Sequence, residues 1–183
     1  MKKRWKKAVA SLVIFCILAA AAYAAMGVLY PARYIPLIRR YSLEFSLKPE
    51  LVCAVINTES RFDSRAKSSK GASGLMQLVE STAVWGANEL GISGFQYSQI
   101  CDPELNIRIG CWYIRKLIDQ FGSVDTAMAA YNAGSGNVAK WLRNLQYSFD
   151  GENLASIPFP ETAAYVKRVG KNVKIYRLIL KLI

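Results

Sequence analysis

Glu59 closes an apolar run, AVINTESRF at 54–62, where an acid is out of place. With residues 50–60 set on a helix at about 100° per residue, Leu51, Val52, Val55 and Ile56 share one face. Glu59 lies four residues after Val55 and eight after Leu51 and so points the same way, while Cys53, Asn57 and Ser60 point towards the opposite side. An ionised carboxylate is costly to bury unpaired, and an apolar setting favours its neutral form. A carboxylic acid that stays protonated near neutral pH can protonate a leaving oxygen. A helix-end glutamate that turns into water has the same local sequence, so this stretch alone leaves both readings open.

Two other stretches carry residue types suited to a sugar. In SRFDSRAKSSKGASGLMQL (60–78), Gly71 and Gly74 flank a short polar loop of the kind that brings backbone close to a ligand. In AMAAYNAGSGNVAKWL (127–142), Tyr131 offers an aromatic face and a hydroxyl, and Asn132 an amide donor and acceptor. YNAGSG also reads as a helix end capped by glycine. Asp63, in the turn signature FDS, reads as a backbone cap rather than a second catalytic acid.

The chain contains no histidine, which excludes Ser-His-Asp and Cys-His nucleophiles and His-ligated zinc. None of the four cysteines (Cys16, Cys53, Cys101 and Cys111) forms a CxxC pair, so a zinc ribbon is excluded too. No metal or cofactor is expected. Cys101 and Cys111 either pair outside the cell or act, with Cys53, as buried thiols. VIFC around Cys16 lacks the small residues that precede a lipidated cysteine.

The elements that must position these groups read as helices. A short one is predicted over about 34–45, and the next starts at Pro49, a first-turn proline. Others are expected near 76–90 and 103–120, from about 123 with Ser123 as N-cap and Asp125 in its first turn, and over 160–182. No period-2 alternation demands a sheet, so the fold class is all-α.

The first 30 residues differ from the rest. Five of the basic residues lie in KKRWKK, leaving 19 basic against 13 acidic over the remainder of a chain with net charge +11. Residues 8–30 then carry no charge, a run of 23 residues, long enough to cross a bilayer. A retained anchor is favoured over a signal peptide cleaved after AYA at 22–24, because signal h-regions are shorter. Either way the lysines stay inside and residues 31–183 are exported, single-pass at the cell membrane or secreted. The basic balance suits an anionic wall polymer or membrane surface, and no nucleic-acid partner is expected. Six basic residues from Lys167 to Lys181, with no acid among them, mark the last helix.

Taken in order, ES (59–60), AKSSKGASGLMQ (66–77), DPELNIRIGCWYI (102–114), AAYNAGSGNV (129–138) and IPFPETAAYVKRV (157–169) resemble the lytic transglycosylase domain of the soluble lytic transglycosylase type, glycoside hydrolase family 23, over about residues 34–180. The resemblance implies a lysozyme-like α-helical domain that cleaves the β-1,4 bond between N-acetylmuramic acid and N-acetylglucosamine in peptidoglycan glycan strands. It implies that Glu59 is the single acid/base and that the product is a 1,6-anhydro sugar. It assigns substrate binding to Ser68, Gln77, Tyr113, Tyr131, Asn132 and Glu161. Tyr165, Trp85, Trp112 and Trp141 are expected to pack the fold. The competing expectations are a goose-type lysozyme hydrolase, a non-catalytic wall-binding module, and a wall-opening accessory of a secretion or sporulation machine.

Overall fold

A computed structural model describes residues 2–183, which divide into one compact unit ending at Ala32 and a second running from Arg33 to Ile183. The first unit is helix α1 (Lys2–Leu29). Its window Leu12–Leu29 has a mean hydropathy of 2.5 with none of it buried, and by length and composition it can cross a membrane.

The second unit is built from α2 (Ile35–Glu44), α3 (Pro49–Glu59), α4 (Glu80–Glu89), α5 (Pro103–Phe121), α6 (Val124–Ala133), α7 (Ser135–Leu142) and α8 (Pro160–Leu182), with a 3₁₀ turn at Tyr97–Cys101. Among the described residues no strand forms, as the missing period-2 pattern implies; two isolated bridges, Lys67–Ser73 and Ser73–Leu78, tie one loop to itself. Proline opens α2, α3, α5 and α8, where its fixed φ suits the first turn and its missing N–H costs nothing. Ser123 accepts from the Thr126 amide at 3.1 Å, the N-cap expected for α6.

Helix α3 is the axis of the core. Every residue from Leu51 to Asn57 is buried, so Cys53 and Asn57, placed by the wheel on an opposite side, have no solvated face to occupy. The reason is tertiary: α3 packs along α8, with α2 also against it. Helix α8 turns Thr162, Tyr165, Val169, Asn172 and Tyr176 inward at spacings of three and four, and Tyr176 meets Phe62 with ring centroids 5.9 Å apart.

The helix expected over 76–90 is shorter. It begins at Glu80, and Leu75, Met76 and Leu78 are buried from a loop instead. Their apolar character reflects burial, which a wrapped loop provides as well as a helix. Cys53 and Cys111 are buried free thiols, and burial pushes Cys53 up to about 12. Cys101 is also free, so the Cys101–Cys111 pairing does not form; Cys111 points into the core from α5. Trp112 and Trp141 pack as expected, whereas Trp85 is 47% exposed and sets its edge on Trp112.

Candidate active site

The loop 66–78 forms one wall of a cleft, and side chains from outside the loop hold it in shape. Asn106, fully buried on α5, donates to the Ser73 and Ile100 carbonyls at 3.1 and 2.9 Å and accepts from the Met76 amide at 2.8 Å. Tyr97 donates to the Leu78 carbonyl at 2.8 Å, Ser60 to that of Leu75 at 2.7 Å, and Tyr131 to that of Met76 at 2.8 Å. Gly74, at φ 81°, sits where a Cβ would collide with the Asn106 amide, so the loop's approach to α5 requires glycine there. Gln77 adopts φ 47° and turns its amide back onto the Ala66 and Gly74 carbonyls at 3.0 and 2.9 Å. The loop is thus a rigid wall, with its backbone polar groups satisfied from inside the protein.

Opposite it, Gly134 at φ 87° is at once the C-cap of α6 and the N-cap of α7. This sharp junction presents Tyr131 and Asn132 to the cleft. Asn132 accepts through Oδ1 from the Thr162 hydroxyl of α8 at 2.8 Å, so its amide N–H groups remain available on the open side. Phe159, half exposed, is braced by Trp141 with ring centroids 4.9 Å apart.

The cleft, about 560 Å³, is lined by Glu59, Ser68, Gln77, Tyr131, Asn132 and Glu161, six of the seven residues expected there. Thr162, Phe159 and Lys70 complete its walls. Tyr113 is not on this lining. It lies behind Tyr131, ring centroids 5.4 Å apart, because α5 carries it on the face turned to α6.

Glu59 is the last residue of α3 and reaches the cleft as the apolar stripe predicts. Burial raises its pKa to about 7; a hydrogen bond donated by Tyr165 at 2.7 Å and the charge of Arg168 pull the other way. The acid is therefore poised near neutrality. Burial, with the charge of Glu59 beside them, holds the Tyr131 and Tyr165 phenols well above the usual range, so both remain neutral donors. Asp63 accepts from the Arg65 amide at 2.9 Å, the turn cap expected of it, and lies outside the cleft lining.

Sequence reasoning assigned Tyr165 to packing, and it is 4% exposed, but it missed the bond to Glu59. It also missed Arg168, Thr162 and Asn106 as supports of the site. The available signal was spacing: Tyr165 and Arg168 lie four and seven residues after Glu161, on a helix that packs along α3.

The chemistry on offer is a carboxyl group that exchanges its proton near neutral pH, a rigid polar wall and aromatic faces in one open cleft. Among the described residues no cluster of potential metal ligands accompanies them. The soluble lytic murein transglycosylase of Escherichia coli K12 is 37% identical over 154 residues, covering 82% of this chain and 24% of its own length. A transglycosylase of Enterobacteria phage PRD1 is 39% identical over 63% of this chain and 40% of its own. Among solved structures, an inactive glutamate-to-glutamine mutant of the lytic transglycosylase Slt from Pseudomonas aeruginosa superposes with a TM-score of 0.76 at 34% identity, covering 85% of this chain and 26% of that one. The 70-kDa soluble lytic transglycosylase in complex with bulgecin A gives 0.73 at 34% identity, over 82% and 25%. The chain thus spans about a quarter of the length of the Escherichia coli and Pseudomonas aeruginosa proteins and 40% of the phage one. The Transglycosylase SLT domain family matches residues 36–154, and with that match, these identities and the shared fold, the chain belongs to the transglycosylase SLT domain family.

Proposed function

We propose that this protein is a peptidoglycan lytic transglycosylase, cleaving the β-1,4 bond between N-acetylmuramic acid and N-acetylglucosamine with Glu59 as its single acid/base. The observation that carries this reading is the raised pKa of Glu59, about 7, in a cleft lined by hydrogen-bonding groups and ring faces. An acid of that strength is half protonated at neutral pH, where a general acid works best. The inactive glutamate-to-glutamine mutant of the Pseudomonas aeruginosa relative agrees with an essential carboxyl in this family.

In the first step Glu59 gives its proton to the glycosidic oxygen as the C1–O bond breaks. The resulting carboxylate then takes the proton from the muramic acid C6 hydroxyl, whose oxygen forms a bond to C1. The 1,6-anhydro ring closes, Glu59 is again protonated, and no water is consumed. Intramolecular attack gains from proximity when the ring is held still. Tyr131, Asn132 and Gln77 line the cleft where that ring would sit, and the Ser68 hydroxyl, accepting from the Ala72 amide at 3.0 Å, keeps its hydrogen for a sugar oxygen.

Glu161 supports a second reading. It is the other carboxyl on the cleft lining, and two carboxyls are the usual equipment of a hydrolase. Mass spectrometry of muropeptides released from purified sacculi separates the two. Anhydro products, one water lighter than reducing-end products, are expected; reducing-end products would replace the transglycosylase reading with hydrolysis.

Helix α1 fits a membrane anchor with the cleft-bearing unit outside the cytoplasm, since KKRWKK precedes the charge-free run. Extraction at alkaline pH tests this: an anchored chain stays in the membrane pellet, and release into the supernatant would refute the anchor.

A further inference from the structure

Helix α8 turns one side to the core and the cleft and the other to solvent. Its core side, Thr162, Tyr165, Val169, Asn172 and Tyr176, is buried. Its outer side forms a shallow hollow of about 800 Å³ lined by Lys167, Arg168, Lys171 and Lys174, with Ala164 and Gly170 between them. All four cations are exposed, and Asp125 is the single acid on the lining. None of the four forms a salt bridge among the described residues, whereas Arg177 further along pairs with Glu50 at 3.3 Å. Four cations gathered around one acid repel each other unless an anion joins them.

We propose that this hollow binds a linear, phosphate-bearing polymer of the cell wall, at a site separate from the cleft. The proposal rests on reading the chain as a wall enzyme. Three features select this occupant. Lys167, Lys171 and Lys174 fall at i, i+4 and i+7 on one line of the helix, rising by about 6 and about 4.5 Å. Such a row suits a ligand whose charge repeats along its length. Three of the four cations are lysines, point charges on flexible stems, which suit a mobile polyanion; a single phosphate would be better gripped by converging arginine forks. The surface is concave along the row, because Gly170 within it and Ala164 one turn before it place almost no side chain there. A strand can lie in that hollow, whereas a flat lipid surface would bridge over it.

Gly170 supplies a direct test. A Cβ built there meets nothing within 4 Å, so Gly170→Glu places a negative charge in the hollow without disturbing the packing. The second variant is Lys167→Gln with Lys171→Gln and Lys174→Gln. Arg168 is left intact because its charge acts on Glu59. The full chain, in nanodiscs of zwitterionic lipid, is titrated against fluorescent poly(glycerol phosphate) and followed by anisotropy at low and moderate salt. Wild type is expected to bind, with affinity falling steeply as salt rises, and each variant to bind about tenfold or more weakly with a flatter salt dependence. Peptidoglycan cleavage by both variants should stay within about twofold of wild type.

No polymer binding by wild type, or equal binding by the variants, overturns the proposal. Displacement of the polymer by an equal concentration of inorganic phosphate would show a single-anion site and overturn it too. So would variants that lose only attraction to vesicles containing phosphatidylglycerol, which would assign the face to a membrane. If wild type binds the polymer but releases no peptidoglycan fragments, the catalytic reading fails while the binding surface stands.

Discussion

The Tyr165 hydroxyl donates to Oε1 of Glu59 at 2.7 Å, joining the second turn of α8 to the last residue of α3 across 106 positions of sequence. The bond fixes the carboxyl on one side, while burial keeps it close to neutrality. A protonated acid and a fixed orientation are both needed to deliver a proton to one oxygen, and here two different helices supply them.

Glu59→Gln keeps the shape of the side chain and its acceptor for Tyr165 but has no proton to give. Release of anhydromuropeptides from sacculi is expected to fall by about a hundredfold or more, the scale of general acid catalysis, with an unchanged circular dichroism spectrum. Activity within about tenfold of wild type would remove Glu59 from its proposed role.

The same substitution should alter the pH dependence of stability. The folded pKa of Glu59 is about 7 against an ordinary 4.5, so between those values the folded state holds more of the proton than the unfolded state. Stability of the wild type therefore falls as pH rises through this window, by up to roughly 3 kcal/mol, and is flat above it. Glu59→Gln lacks this loss. Its melting temperature relative to wild type should rise between pH 4 and pH 8; a constant difference would mean that the carboxyl is not buried as described.

Tyr165→Phe removes the donor that favours the ionised form, so the pKa of Glu59 should move further up. The alkaline limb of the kcat/KM profile, set by loss of the Glu59 proton near pH 7, is expected to shift to higher pH. The rate at the optimum should fall by about tenfold because the carboxyl is no longer oriented. A purely structural tyrosine would lower the rate without moving the limb.

Asn106→Ala should damage the cleft without touching it. The substitution orphans the Met76 amide within the 66–78 loop, takes the side-chain donor from the Ile100 carbonyl, and leaves the Ser73 carbonyl with the Leu78 amide alone, at 3.1 Å. Each orphaned group costs on the order of 1–3 kcal/mol, so thermal unfolding should occur about 10 °C lower. Hydrogen exchange at 73–78 should accelerate before the rest of the domain. Uniform acceleration across all helices would show that the loop has no separate dependence on Asn106.

Local sequence determined the helices and the direction of Glu59. First-turn prolines at 36, 49, 103 and 160 mark helix starts by their own backbone geometry, and the 3.6-residue period sends Glu59 out along the stripe of Leu51 and Val55. The ordered motifs also named six of the residues that line the cleft. Only the tertiary structure decided what surrounds that acid. The burial of Cys53 and Asn57 came from α8 and α2 closing around α3, which no pattern within α3 encodes. LMQL looked like a helix start because its apolar residues are buried, yet Asn106, Tyr97 and Tyr131 hold it as a loop through bonds to residues 19 to 55 positions away. Tyr165 read as packing because burial is a local signature, whereas its partner is set by how two distant helices pack along each other. Type and spacing thus fix which groups are available, while their protonation and orientation depend on neighbours that the chain brings together only on folding.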